Sequence, residues 1–313
     1  MLYNKIKGVF YGQAIGDALG LGTEFMSKGE VLEHYPTGLN DYSQVIQDAH
    51  RSRWKKGDWT DDTDQFLCIC DSIISTGQVS EIAFAKELYK WYKGESMGIG
   101  STVQRVVSFP QFLESPHKAS ELVWKMSGKR NAANGAIMRT AILGIVDYEN
   151  SSSVRHNAEN IAKVTHYDPR CVGTSVIISL LVARHLRYDS CMSYESLVNI
   201  AREYDERIVG TLSLAVSNDI VSLRLDDEVD MGYTLKTFSA AMWAYFNALT
   251  FEEGILSIVN SGGDADTNAC VAGAILGAKF GYDAIPIHWI NGLNKKDVLH
   301  HKMEEFMQGV KLV

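Results

Sequence analysis

Proline is scarce: there are 5 in 313 residues, against roughly 15 at the average usage of about 5%. Proline interrupts helices, so its shortage favours a helix-rich fold. An excess of basic charge is also missing. The chain carries 30 Lys and Arg against 38 Asp and Glu, a net charge of −8, and no Lys/Arg run. That excludes a general nucleic-acid binder, which needs a basic patch or stripe. No apolar run reaches membrane length. The longest uncharged one, Cys171–Ala183, falls short of the about 18 residues a span requires. The segment Met1–Gly16 lacks the layout of a signal peptide. The five cysteines, Cys68, Cys70, Cys171, Cys191 and Cys270, are odd in number and scattered, which points to a reduced, cytoplasmic compartment. Disorder and low complexity are excluded by 46% hydrophobic and 22% charged residues.

What is present is helical periodicity. It predicts helices over Tyr3–Leu21, Gln65–Ser75, Ile82–Lys93, Ala119–Ser127, Arg155–Val164, Val172–Arg187, Tyr194–Tyr204, Leu212–Leu223, Leu235–Leu249 and Asn268–Phe280. No alternating strands or βαβ rhythm occur, and no linker divides the chain. The expectation is an all-α fold, a compact multi-helix single domain over residues 1–313, with Gly94–Gly100 as a functional loop. Gly8, Gly12, Gly16 and Gly20 recur every fourth residue on one face, as do Gly273 and Gly277, with Gly281 placed as a C-cap. Each interior glycine costs a helix about 1 kcal/mol against alanine. Close helix–helix approach is the simplest offset, so these glycines read as packing ridges rather than phosphate cradles.

Two acidic motifs stand at predicted helix starts. Gly57-Asp58-Trp59-Thr60-Asp61-Asp62-Thr63-Asp64-Gln65 precedes Phe66–Ile74, and Ser261-Gly262-Gly263-Asp264-Ala265-Asp266-Thr267-Asn268 precedes the last predicted helix. One or two such acids are explained as N-caps. Four Asp within Asp58–Asp64 are more than a cap uses. Asp and Thr oxygens in two clusters, without nearby His or Cys, suit shared hard cations such as Mg²⁺, Mn²⁺ or Ca²⁺. Such a ligand set can hold two ions and make a water nucleophilic at neutral pH. EF-hand spacing fails, because Thr63 and Ala269 stand where that loop needs glycine. A zinc site is unsupported, since Cys68-x-Cys70 has the wrong spacing.

The ordered motifs resemble the ADP-ribosylglycohydrolase family, enzymes that remove ADP-ribose from modified side chains. The likeness runs through Gly16-Asp17-Ala18-Leu19-Gly20 and Glu24, then Trp59–Thr63, Gly98–Thr102 and Asn134–Arg139. It continues in Thr165–Arg170 and closes with Gly262–Thr267. It implies a compact all-α fold and two metal ions, Mg²⁺ or Mn²⁺. The ligands it implies are Thr60, Asp61, Asp62, Asp264, Asp266 and Thr267. Glu24 matches an acidic residue that in some members gates the metal site or assists catalysis. Asn134, Gly135 and Met138, with Gly98, Ile99 and Gly100, would line the ADP-ribose cleft, and His166 would lie near ribose or phosphate. Ser261 and Gly262 offer backbone N–H groups at a helix start, a seat for phosphate. Asp168-Pro169-Arg170 reads as a loop lock. Many members carry Asp-Ile-Gly where this chain has Gly98-Ile99-Gly100, which bears on the leaving group.

The implied reaction is hydrolysis of the bond from C1″ of ADP-ribose to a protein acceptor, through an oxocarbenium-like transition state. Asp61 or Glu24 would relay a proton. Arginine-linked ADP-ribose is the first expected substrate, with serine- and ester-linked forms open. A non-catalytic ADP-ribose binder or toxin-immunity protein, and a metal-dependent phosphohydrolase, are the readings from other classes. The expected partners are an ADP-ribosylated protein and ADP-ribose, with no nucleic acid and no membrane, and the expected state is a monomer.

Overall fold

Two helices of the computed structural model touch backbone to backbone, and the remaining elements are arranged around them. The structure describes residues 1–94, 96–216 and 219–310. The helices in chain order are α1 (Leu2–Gly20), α2 (Lys28–His34), α3 (Asp61–Thr76), α4 (Glu81–Lys93) and α5 (Ser101–Val107). Then come α6 (Pro116–Met126), α7 (Ser151–Ala162), α8 (Pro169–Tyr188), α9 (Tyr194–Arg202) and α10 (Glu206–Ala215). The last are α11 (Thr234–Asn247), α12 (Phe251–Val259), α13 (Ala265–Phe280), α14 (Ile287–Gly292) and α15 (Lys296–Gly309). Among the described residues there is no β-strand, only the bridges Met26–Gly263 and Ala133–Tyr233. No described helix is long and apolar enough to cross a membrane.

The contact between α1 and α13 follows from glycine spacing. Gly8 faces Gly277, Gly12 faces Gly273, Gly16 faces Ala269 and Gly20 faces Ala265, so the two helices run antiparallel. A Cβ added at Gly12 would overlap the carbonyl oxygen of Gly273, and one at Gly277 that of Gly8. Removing the side chains brings two flat ridges together, and the buried area offsets the helix propensity lost at each glycine. Every residue from Gly8 to Gly20 and from Ala265 to Ala278 is buried. Gly281 ends α13 at φ +83° and ψ 166°, an extended positive-φ conformation open essentially to glycine alone, so it is the C-cap the sequence predicts although not in the αL form.

α3 starts at Thr60, whose hydroxyl oxygen caps it, and ends at Gly77 in the left-handed region. Its apolar stripe Phe66, Ile69 and Ile73 turns inward, and Phe66 meets Phe10 of α1 edge to face at 5.1 Å. One hydrophobic core draws on residues from Ile6 to Met307.

The predicted helix Leu212–Leu223 is corrected. α10 begins earlier, at Glu206, with the Asp205 carboxylate accepting from the Arg207 N–H at 2.9 Å, and it ends at Ala215. Ile220–Leu223 is a separate 3₁₀ turn, started by Asp219, whose carboxylate accepts from the Val221 N–H. Ser217 and Asn218, within that predicted helix, and Glu95, within the predicted loop, lie outside the described residues. The periodicity missed α2, α5, α12, α14, α15 and the 3₁₀ segment Ile137–Gly144. Most are short, and their burial is supplied by neighbours distant in sequence.

Two Gly→Ala changes separate helix propensity from packing. Gly210 is exposed on α10, and nothing lies within 4 Å of a new Cβ there. Gly210→Ala should stabilise the fold by about 1 kcal/mol. Gly12→Ala should destabilise it by about 1–3 kcal/mol or more, since overpacking reverses the sign. Urea midpoints test this, and a Gly12→Ala midpoint at or above the parent's would refute the ridge.

Candidate active site

Antiparallel packing places the C-terminal end of α1 beside the N-terminal end of α13. Asp17, one turn from the end of α1, is fully buried. Its Oδ1 accepts the Thr60 N–H at 2.9 Å. Its Oδ2 accepts the Thr63 N–H at 3.0 Å and the Thr63 hydroxyl at 2.6 Å. It therefore caps α3 from another helix and fixes where the first acidic motif sits. Burial pushes its pKa up to about 7, against the pull of those bonds. The sequence reading assigned Asp17 no role, although a lone Asp within a buried, glycine-ridged helix was the available signal.

The two motifs meet at Asp62. Its Oδ2 accepts the Thr60 hydroxyl at 3.0 Å and the Thr267 hydroxyl at 3.3 Å, which joins one motif to the other. Its Oδ1 is buried and has no hydrogen-bond partner. Asp61 accepts the Gln65 amide at 3.0 Å, Asp264 accepts the Asn134 amide at 2.6 Å, and Asp266 accepts the Thr267 N–H at 2.8 Å. Carboxylate oxygens of Asp17, Asp62 and Asp266 lie within 4.8 Å of one another, and so do those of Glu24, Asp264 and Asp266. Asp266 belongs to both groups. Hard oxygen donors in this number, with one left unpartnered, fit divalent cations. The remaining acids of the first motif are structural. Asp58 accepts the Lys55 N–H, and Asp64 accepts the indole N–H groups of Trp59 and Trp91.

Electrostatically the cluster is frustrated. Burial raises the pKa values of Asp61, Asp62 and Asp266 well above the carboxylate range, and the charged neighbours that add to the shift are other carboxylates. Asp264 is raised to about 6, by burial first and then by Glu24. Glu24 is held in place. The Met26–Gly263 bridge pins its loop to the second motif, and His50 Nε2 lies 2.6 Å from its carboxylate.

The residues that the sequence offered as metal ligands converge. Beside them a cavity of about 280 Å³ is lined by Gly98, Gly100, Asn134, Gly135, Met138 and His166, with Glu24, Asp61, Asp62, Asp264, Asp266 and Thr267. Thr60 and Ile99 line a neighbouring cavity of about 300 Å³ with His50, Arg53 and Trp54; it shares Glu24, Phe25, Asp61, Gly98 and Asp266 with the first. Ser261 and Gly262 are corrected: they line neither cavity. Their amides are spent closing α12, the Ser261 N–H on Ile258 and the Gly262 N–H on Val259, and the Ser261 hydroxyl donates to Ser257. Asp168 and Arg170 do form a two-pronged lock, with Nε–Oδ1 and Nη2–Oδ2 both 2.7 Å. Gly98 has φ +84°, and a Cβ there would come within 2.7 Å of Asp61 Oδ1, so the Asp61 carboxylate takes up the space where a side chain at this position would begin.

Residues 1–312 match the model of the ADP-ribosylglycohydrolase family. An ADP-ribosylarginine hydrolase, Tri1, of Serratia proteamaculans is 28% identical, over 96% of this chain and 78% of its own. An ADP-ribosyl-[dinitrogen reductase] glycohydrolase of Rhodospirillum rubrum is 26% identical, over 94% and 92%. A solved structure described as an ADP-ribosylglycohydrolase-related protein complex aligns over 99% of both chains, with a TM-score of 0.75 and 25% identity.

The carboxylates set a pH dependence. An acid whose folded pKa exceeds its unfolded value holds its proton more tightly when folded. Its contribution is therefore present below about pH 4 and lost as pH rises through the folded value. For Asp264 and Asp17 those folded values are about 6 and about 7. In chelator, the melting temperature should fall between about pH 5 and pH 7, and Mg²⁺ or Mn²⁺ should reverse the fall. A midpoint in chelator that is flat or rising over this range counts against the cluster.

Proposed function

This chain belongs to the ADP-ribosylglycohydrolase family, hydrolases of ADP-ribose glycosidic linkages, and from that premise we propose its specific activity. It releases ADP-ribose from modified protein side chains, arginine-linked ADP-ribose first, at a site for two Mg²⁺ or Mn²⁺ ions. The observation that carries the metal part is the convergence of Asp62, Asp264 and Asp266, each in a three-carboxylate group completed by Asp17 or Glu24, with Asp62 Oδ1 unpartnered between the motifs. Thr60, Asp61, Asp62, Asp264, Asp266 and Thr267 would hold the ions. Asp17 already accepts three hydrogen bonds, so it serves as their support. Bound cations there would supply charge neutralisation, a grip on ribose hydroxyls and an activated water.

The chain's own groups do the rest. The cavity along Asn134, Gly135, Met138 and His166 takes ADP-ribose, and the cavity along His50, Arg53, Trp54 and Ile99 takes the acceptor. The two meet at Glu24, Asp61 and Asp266, which supports a scissile bond set against carboxylates. Those carboxylates face the positive charge that develops at C1″. Asp61 is only half-buried and faces both cavities, so it is the group to take the proton of the attacking water. Glu24, tethered by His50, is the second acid at the bond. The arginine preference is supported by the likeness to the Serratia hydrolase. Arg53 in the acceptor cavity favours a second reading, serine- or ester-linked ADP-ribose, because a guanidinium acceptor meets a like charge there. The four buried cysteines are unpaired, which supports a reduced, cytoplasmic setting.

Arg-, Ser- and ester-linked ADP-ribose, each with Mg²⁺, Mn²⁺ or EDTA, test these assignments. Release should require metal and be abolished by Asp264→Asn or Asp266→Asn. Turnover that survives EDTA and both substitutions sinks the scheme, and ADP-ribose binding without turnover on any linkage identifies an idle binder. Asp17→Asn should weaken metal affinity by about 10–100-fold, read by titration calorimetry; unchanged affinity would remove Asp17 from the support. Gly98→Asp should lower activity despite matching many relatives, because the new Cβ displaces Asp61; a gain in rate would contradict that packing.

A further inference from the structure

Arg139 takes no part in the chemistry above, yet it is a fully buried guanidinium between the two halves of the site. It lies over the Phe84 ring at 4.9 Å. Its Nη1 donates to Gln65 Oε1 at 2.5 Å, and Gln65 Nε2 donates to Asp61 Oδ2 at 3.0 Å. Its Nη2 donates to the hydroxyl of Thr165, and that hydroxyl lies 2.8 Å from His166 Nδ1.

Each link allows one direction. A guanidinium only donates, so Gln65 must present its oxygen to Arg139 and its amide N–H to Asp61. Thr165 must likewise accept from Arg139. Its single hydroxyl proton is then free for one acceptor, and His166 Nδ1 is within reach. The opposite arrangement, with Nδ1 protonated, would strand the Thr165 proton, and Thr165 is 1% exposed. A lone pair at Nδ1 leaves the ring proton on Nε2. That nitrogen is buried without a partner on a ring that lines the ADP-ribose cavity. Gly135 keeps this edge uncovered, since a Cβ there would come within 2.8 Å of Cε1 and 3.2 Å of Nε2.

We propose that Arg139 and Thr165 are positioning residues that lock His166 in its Nε2–H tautomer, so that it presents a neutral N–H donor to an oxygen of the ligand. The ring stays neutral at working pH, because burial and then Arg139 hold its pKa down to about 3. A phosphate or ribose oxygen satisfies this donor. The inference rests on the cleft being the ADP-ribose site.

The test reads the tautomer directly. Long-range ¹H–¹⁵N spectra of the Mg²⁺-loaded enzyme, labelled at histidine, should show His166 protonated at Nε2 with Nδ1 as an acceptor. Thr165→Val should mix the tautomers and weaken ADP-ribose binding roughly 5–10-fold, the size expected for one lost hydrogen bond. Thr165→Ser should restore both. In a His166→Ala background Thr165→Val should cost nothing more. A proton on Nδ1 in the parent overturns the proposal. So does an unchanged tautomer in Thr165→Val, or additive losses in the double variant. If the parent fails to bind ADP-ribose, the reading of the cleft falls, while the ring spectra still decide the tautomer.

Discussion

The rest of the structure depends on the side-chain-free contact between α1 and α13. Glycines at every fourth position bring two backbones together, and a helix pair this close has little freedom to slide or rotate. Because the pair is antiparallel, the end of α1 lies beside the start of α13. Asp17 then reaches across to cap α3, so the second motif is located by packing and the first by hydrogen bonds to the same helix. Three elements far apart in sequence therefore place their acids within a few ångströms. The energy lost in helix propensity at the glycines is returned as position at the site.

That position is electrostatically costly. Burial raises the pKa values of Asp17, Asp61, Asp62, Asp264 and Asp266, neighbouring carboxylates add to the rise in all but Asp17, and the pull of backbone and side-chain donors opposes this only in part. A cluster of like charges in low dielectric is stable only if protonated or neutralised. The acidity at this end of the fold is thus a cluster that could hold metal rather than a solubility feature. A second, uncharged layer keeps the oxygens in order: Thr60 and Thr267 on Asp62, Gln65 on Asp61 and Asn134 on Asp264. On the far side of Gln65, Arg139 supplies a buried positive charge that does not reach the carboxylates directly, and so leaves their oxygens free.

Much of this was legible beforehand. The long helices other than α15 follow from periodicity, the ridge from glycine spacing, and the clustering of Asp61, Asp62, Asp264 and Asp266 from two acid-rich helix starts. Short helices such as α5 and α14 were not legible, because a six- or seven-residue segment has too few turns to show a period. Asp17 escaped because its partners, Thr60 and Thr63, are more than forty residues away. Ser261 and Gly262 misled for the converse reason. Their proximity to a helix start suggested free amides, but the preceding helix α12 had already used them.

The amino-acid sequence by itself determined the all-α class and the family, since the first depends on local period and the second on short motifs in order. The tertiary structure alone decided what those residues do together. It set Asp17 against Thr60 and Thr63, gave Asp266 to both carboxylate groups and made two cavities that share Glu24, Asp61 and Asp266. It also left Nε2 as the His166 ring nitrogen without a partner, while Nδ1 meets Thr165. These outcomes depend on contacts between distant segments, and hydrogen-bond direction and charge proximity acquire meaning only when the chain has closed on itself.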